Sequence, residues 1–143
     1  MDLFTDLAGD IAAGLAYCGV GLLLLAVGFF VLDVLIPGDL ADLIYRERNF
    51  NAAVTVASGL VAIGMIVVVA ILTSEDTLGE GIASTAAFGV LGILLLAIAF
   101  KLVDLVTPGE LGEICSDPEH QPAVWITVAT QLTLGAVVAA AIS

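Results

Sequence analysis

Charged residues are absent from four long stretches of the chain, residues 11–32, 52–72, 82–100 and 123–143, while acids, glycines and prolines gather between them. Each stretch holds about 20 residues, the length that carries an α-helix across the hydrocarbon core of a bilayer at about 1.5 Å per residue. The Val/Ile-rich run within residues 61–72 does not alternate apolar with polar side chains, as a transmembrane strand would. The pattern therefore predicts an all-α integral membrane protein with four transmembrane helices. After the first helix of each half the apolar spacing changes to i, i+3, i+4, at Leu40, Leu43 and Ile44 and again at Leu111, Ile114 and Cys115. This spacing predicts two short amphipathic helices lying at one membrane surface.

Sliding the chain against itself by 71 residues sets Asp33 over Asp104, Pro37-Gly38 over Pro108-Gly109, Asp39 over Glu110 and Leu40 over Leu111. The pattern D-x-x-x-P-G-[DE]-L thus occurs twice, each time just after a spanning helix, which predicts tandem two-helix repeats over residues 1–72 and 73–143. Two crossings per unit return the chain to its starting side. The copies are then parallel, related by a pseudo-twofold axis along the membrane normal, and the short link at residues 73–81 joins them into one compact domain.

Thr107-Pro108-x-Glu110, Pro37-x-Asp39 and Asn49-x-Asn51-Ala52-Ala53 together resemble the membrane family of domain of unknown function 350, whose members carry a duplicated two-helix unit. The resemblance covers nearly the whole chain and implies a multi-pass protein of a prokaryotic plasma membrane. The second half departs from the pattern, with His120-Gln121-Pro122-Ala123 where the asparagine-containing stretch should stand.

Charge sets the expected topology. Arg46, Arg48 and Lys101 all fall at one end of the predicted bundle, and the positive-inside rule makes that end cytoplasmic. Both termini and the 73–81 link are then extracytoplasmic, with Asp2, Asp6, Asp10, Glu75, Asp76 and Glu80 and no base. Asp2, Asp6 and Asp10 also stand where a secretory signal needs positive charge, so the first helix is expected to remain in the mature protein. The formal net charge of −12 argues against nucleic acid and anionic headgroups as partners. Cys18 and Cys115 are expected on opposite sides and unpaired. His120 lacks a second histidine or a cysteine pair at ligand spacing, so no metal and no cofactor is expected.

The costly polar residues are the candidate sites. Asp33 and Asp104 each follow an uncharged span, and Lys101 stands three residues before Asp104 on the same helix face. They suit either a proton or monovalent-cation site, or a structural joint in which each Asp accepts N–H groups of the turn begun by Pro37-Gly38-Asp39 or Pro108-Gly109-Glu110. Thr55 and Ser58 on the second span and Thr127, Thr130 and Gln131 on the fourth predict polar helix–helix contacts, with Ala53, Ala57, Gly135 and Ala139 allowing close approach. Trp125, Tyr45 and Phe50 are placed to anchor at the interface. No nucleophile elbow, phosphate loop or zinc-protease motif occurs, so no enzyme is expected. The reading is a structural or accessory membrane component, a homo-oligomer with an acidic cytoplasmic face that docks a protein partner. The alternative is a small oligomeric channel or transporter for protons or monovalent cations.

Overall fold

A computed structural model describes residues 3–74, 77–106 and 111–143. Four helices are long and apolar enough to cross a membrane: α1 (Leu3–Leu35), α3 (Phe50–Leu72), α4 (Leu78–Val106) and α6 (Val124–Ile142). Two six-residue helices join them at one end, α2 (Leu40–Tyr45) between α1 and α3, and α5 (Leu111–Ser116) between α4 and α6. Every regular element among the described residues is α-helical. The uncharged windows are the interiors of these helices. The helices run on past them because a charge is costly to the membrane core but not to helical backbone, so Asp6, Asp10, Asp33, Lys101 and Asp104 all lie within helices.

The bundle is built around α3 and α4, which pack on each other and on both remaining spans, while α1 and α6 lie on opposite sides of that pair. Half of the apolar window of α3 is buried inside the protein against 17% of that of α1, so α3 is the central helix and α1 is left mostly to the lipid. A twofold relating α1 to α4 and α3 to α6 would bring α1 and α6 as close as α3 and α4. They are not, and the packing departs from that symmetry. Glycines set the close crossings. A Cβ on Gly28 would meet the Ile63 side chain, one on Gly89 that of Leu24, one on Gly92 that of Ile66, and one on Gly135 the backbone of Ala62. In hydrocarbon there is no water to squeeze out between helices, so such close van der Waals contact is what holds them together.

Two apolar clusters fill the interior. The one at the α2/α5 end gathers Leu32, Ile36, Leu40, Leu43, Val56, Phe100, Cys115 and Val124, and the other packs Leu24, Ile63, Ile66, Ile93, Leu96 and Val138. The turn into α2 depends on Gly38, whose φ of +107° is one that a side chain opposes. Arg48, at φ 54°, makes the equivalent left-handed step out of α2 and into α3.

Candidate functional site

The polar side chains converge at the α2/α5 end. A six-residue helix cannot nucleate alone, and α2 is held by two carboxylates. Asp39, its N-cap, accepts the Asp42 N–H at 3.1 Å, and Asp33 reaches from the last turn of α1 to accept the Leu40 N–H at 2.9 Å. Asp33 therefore couples the end of a spanning helix to the start of the connecting one. Asp42 in turn pairs with Arg46 at 3.3 Å on the exposed face. Pro108, Gly109 and Glu110, where the same sequence pattern recurs, lie outside the described residues. Pro37 packs tightly on α5, where a Cβ added to Gly112 would come within 2.5 Å of its ring.

Lys101 and Asp104 pair at 3.8 Å on α4, with Lys101 largely exposed and Asp104 mostly covered. Asp104 also lies near enough to Cys115 to act on its thiol. Cys115 is fully buried and hydrogen-bonded to Thr55 at 3.4 Å. Burial pushes its pKa up, the Thr55 hydroxyl works against that, and the charge of Asp104 adds to it, so the thiol is kept protonated and unreactive.

The densest cluster belongs to Asn49 and Asn51, whose side chains are 3% and 1% exposed and so must find their partners within the protein. Asn49 is the N-cap of α3. Its Oδ1 accepts the Ala52 N–H at 3.1 Å, while its Nδ2 donates to the carbonyls of Ser116 and Asp117 at 2.8 and 2.9 Å. Asn51, two residues on in the first turn of α3, shares its two Nδ2 hydrogens among the carbonyls of Glu119, Asp117 and Ile114 at 2.7, 3.1 and 3.3 Å, and its Oδ1 accepts the Gln121 N–H at 3.3 Å. Two side chains from the start of α3 thus clasp the whole 114–121 segment leading from α5 to α6. The segment is tightened from outside by Asp117, whose carboxylate accepts the Glu119 N–H at 2.8 Å and the Gln121 side chain at 2.9 Å. Those two bonds, the backbone one first, hold the Asp117 carboxyl below the usual carboxylate range. The sequence pattern marks Asn49 and Asn51 but not this use of them, since their partners are backbone carbonyls more than 60 residues away. A buried polar residue in the first turn of an apolar span was the available signal.

Deeper in the membrane, Ser58 on α3 shares its single hydroxyl hydrogen between Gln131 Oε1 on α6 and the Thr55 carbonyl, and both residues of this interhelical contact are buried. Thr127 faces the same seam, 2% exposed, with no partner for its hydroxyl among the described residues. Thr130 does not join the seam; its hydroxyl donates to the Ile126 carbonyl of its own helix at 2.8 Å. Ala57 is exposed and Ala53 only partly covered, so the close approach falls to Gly135 against Ala62, with Ala139 buried one turn on, and not to the first alanine pair. At the membrane boundary Phe50 stacks on His120, with ring centroids 4.9 Å apart, and Tyr45 and Trp125 are exposed.

Residues 5–142, nearly all of the chain, match the family described as Domain of Unknown Function (DUF350). The chain belongs to the DUF350 family. It is 34% identical over 143 residues to a UPF0719 transmembrane protein of Mycolicibacterium paratuberculosis, covering 100% of this chain and 94% of that protein. It is also 32% identical over 139 residues to UPF0719 transmembrane proteins of Mycobacterium bovis and Mycobacterium tuberculosis, covering 97% of this chain and 91% of each relative. No solved structure matches it. With four apolar spans and transmembrane relatives in mycobacteria, this DUF350 protein is a membrane protein of prokaryotic type, in contact with the lipid bilayer.

Proposed function

We propose that this DUF350 chain is a structural or accessory component of the plasma membrane, with its α2/α5 end turned to the cytoplasm as a docking face, and not a conduit. One observation carries this reading. The cavity enclosed where α1, α3, α4 and α6 meet, lined by Gly28, Leu32, Gly59, Ile63, Ile93 and Gln131, holds about 10 Å³, no more than a single water needs. The costly polar side chains are meanwhile engaged in joints: Asp33 on α2, Asn49 and Asn51 on the α5–α6 segment, Ser58 on Gln131. The orientation follows Arg46, Arg48 and Lys101 at the α2/α5 end. The repeated D-x-x-x-P-G-[DE]-L turn supports descent from a duplicated two-helix unit whose copies have since taken different tasks.

The alternative is a homo-oligomer that conducts protons or monovalent cations between chains, with Asp33, Asp104 and Lys101 at its inner mouth. Purified protein in liposomes, with flux followed by a pH- or cation-sensitive dye, separates the two. No flux above empty liposomes is expected. Flux in the wild type that Asp33→Asn and Asp104→Asn abolish would overturn the structural reading.

The docking face is expected to be the acidic surface bearing Asp39, Glu47, Glu113 and Glu119, all exposed, which suits a basic partner. Reversing Asp39 and Glu113 to Lys should remove specific partners from a crosslinked pull-down. Recovery of the same proteins with both reversals would defeat this part of the proposal.

A further inference from the structure

Beside the asparagine clasp lies a hollow of about 150 Å³ between the starts of α3 and α6, lined by Phe50, Asn51, His120, Gln121, Val124 and Trp125 among others. It has half the volume of the smallest ordinary metabolite pockets, which begin at roughly 300 Å³, so it fits a headgroup-sized fragment. Three of its seven lining residues carry aromatic rings: Phe50 and His120 stack with ring planes 24° apart, and Trp125 is the third. Asn51 is buried, but its carboxamide is already committed to the carbonyls of residues 114–119, so it offers no free donor to an anion.

Charge points to the same class of ligand. From Leu102 to Ser143 the chain has no Lys or Arg, while Asp104, Glu110, Glu113, Asp117 and Glu119 fall in that stretch. The Asp117 carboxylate is bonded to the side chain of Gln121, which lines the hollow, and the same contacts hold its pKa down. Aromatic faces beside this acidic segment attract an organic cation, and Arg48, an exposed base two residues before Phe50, suits the phosphate that a zwitterionic headgroup also carries. The hollow opens where Phe50 and Val124 begin their spans, which is the level of lipid headgroups. We propose that this aromatic hollow binds the ammonium end of a zwitterionic phospholipid, and so seats a lipid against the junction of the two halves.

Trp125 is the chain's only tryptophan, so its emission reports on the hollow directly. The full chain in maltoside micelles, which carry no ammonium group, is titrated with tetramethylammonium chloride and separately with sodium chloride at matched ionic strength. A saturable change is expected with tetramethylammonium alone. Phe50→Leu, and independently His120→Ala at the exposed rim, should weaken it about threefold to tenfold without lowering the thermal midpoint. Phosphatidylcholine added to the micelles should compete, and phosphatidylglycerol should not. A linear response shared by both salts, or binding unchanged in both variants, would show that these rings are ordinary interfacial anchors and overturn the site. Competition by phosphatidylglycerol as strong as by phosphatidylcholine would overturn the ammonium preference. Tetramethylammonium binding with no competition from phosphatidylcholine would overturn the lipid as its source.

Discussion

Replacing Asn51 with Leu is expected to cost about 3 to 5 kcal/mol of stability and to release the 114–121 segment. The estimate comes from what is left behind. Asn51 serves the carbonyls of Glu119, Asp117 and Ile114 and the N–H of Gln121. Asp117 keeps its bond from Asn49, but the Gln121 N–H and the Glu119 and Ile114 carbonyls lose the partner that Asn51 supplies. A buried group left unpaired costs roughly 1 to 3 kcal/mol, and because these three are only partly buried the sum falls toward its lower end. Asn51→Asp tests the chemistry apart from the volume. It keeps the acceptor for Gln121 but has no donors, and it aims a carboxylate at three carbonyls, so it should lose at least as much stability as Asn51→Leu. Hydrogen exchange at the Gln121 amide separates the two, being fast in Asn51→Leu and still protected in Asn51→Asp. Thermal unfolding in detergent micelles gives the stabilities. An Asn51→Asp variant as stable as the wild type would mean that the clasp does not hold the segment.

The same residue marks the limit of what the sequence could disclose. Four spans were legible because lipid demands that every backbone group be satisfied within the helix, so length and lack of charge nearly determine the element. The ends were less legible. Asp33 and Asp104 mark the edge of an uncharged run, yet each lies inside its helix, with the Asp33 carboxylate bonded to the Leu40 N–H. Asn49 could be read as an N-cap from its position before an apolar run. Its second role could not, because backbone carbonyls of a distant loop leave no trace in side-chain identity. The polar pairs on α3 and α6 were legible as a group, but only the coordinates sort Ser58 and Gln131, which bond across the seam, from Thr130, which bonds to its own helix.

The two halves are least equivalent at a pair of glycines, and substitution there should give effects of opposite sign. Gly64 and Gly135 stand 71 residues apart, the offset at which the D-x-x-x-P-G-[DE]-L pattern recurs. A Cβ on Gly135 would sit 2.7 Å from Cα and Cβ of Ala62 and 3.0 Å from its carbonyl oxygen, and backbone atoms cannot rotate out of the way. A Cβ on Gly64 would meet nothing within 4 Å. Sequence accounts for the difference. The residue 71 positions after Ala62 is Thr133, whose branched side chain is exposed and leaves Gly64 without a close partner. Gly135→Ala must push α3 and α6 apart. It should cost about 2 kcal/mol even after the gain of roughly 1 kcal/mol that alanine brings to a helix interior, and it should strain the Ser58–Gln131 bond one turn away. Gly64→Ala should be neutral or stabilising by up to about 1 kcal/mol. Ala62→Gly should rescue Gly135→Ala only in part, because the Ala62 Cα is as close as its Cβ. Equal loss from the two alanine variants, measured as midpoints of unfolding in the same micelles, would refute the one-sided seam. It would indicate instead a bundle in which both glycines meet a neighbour, as a true twofold requires.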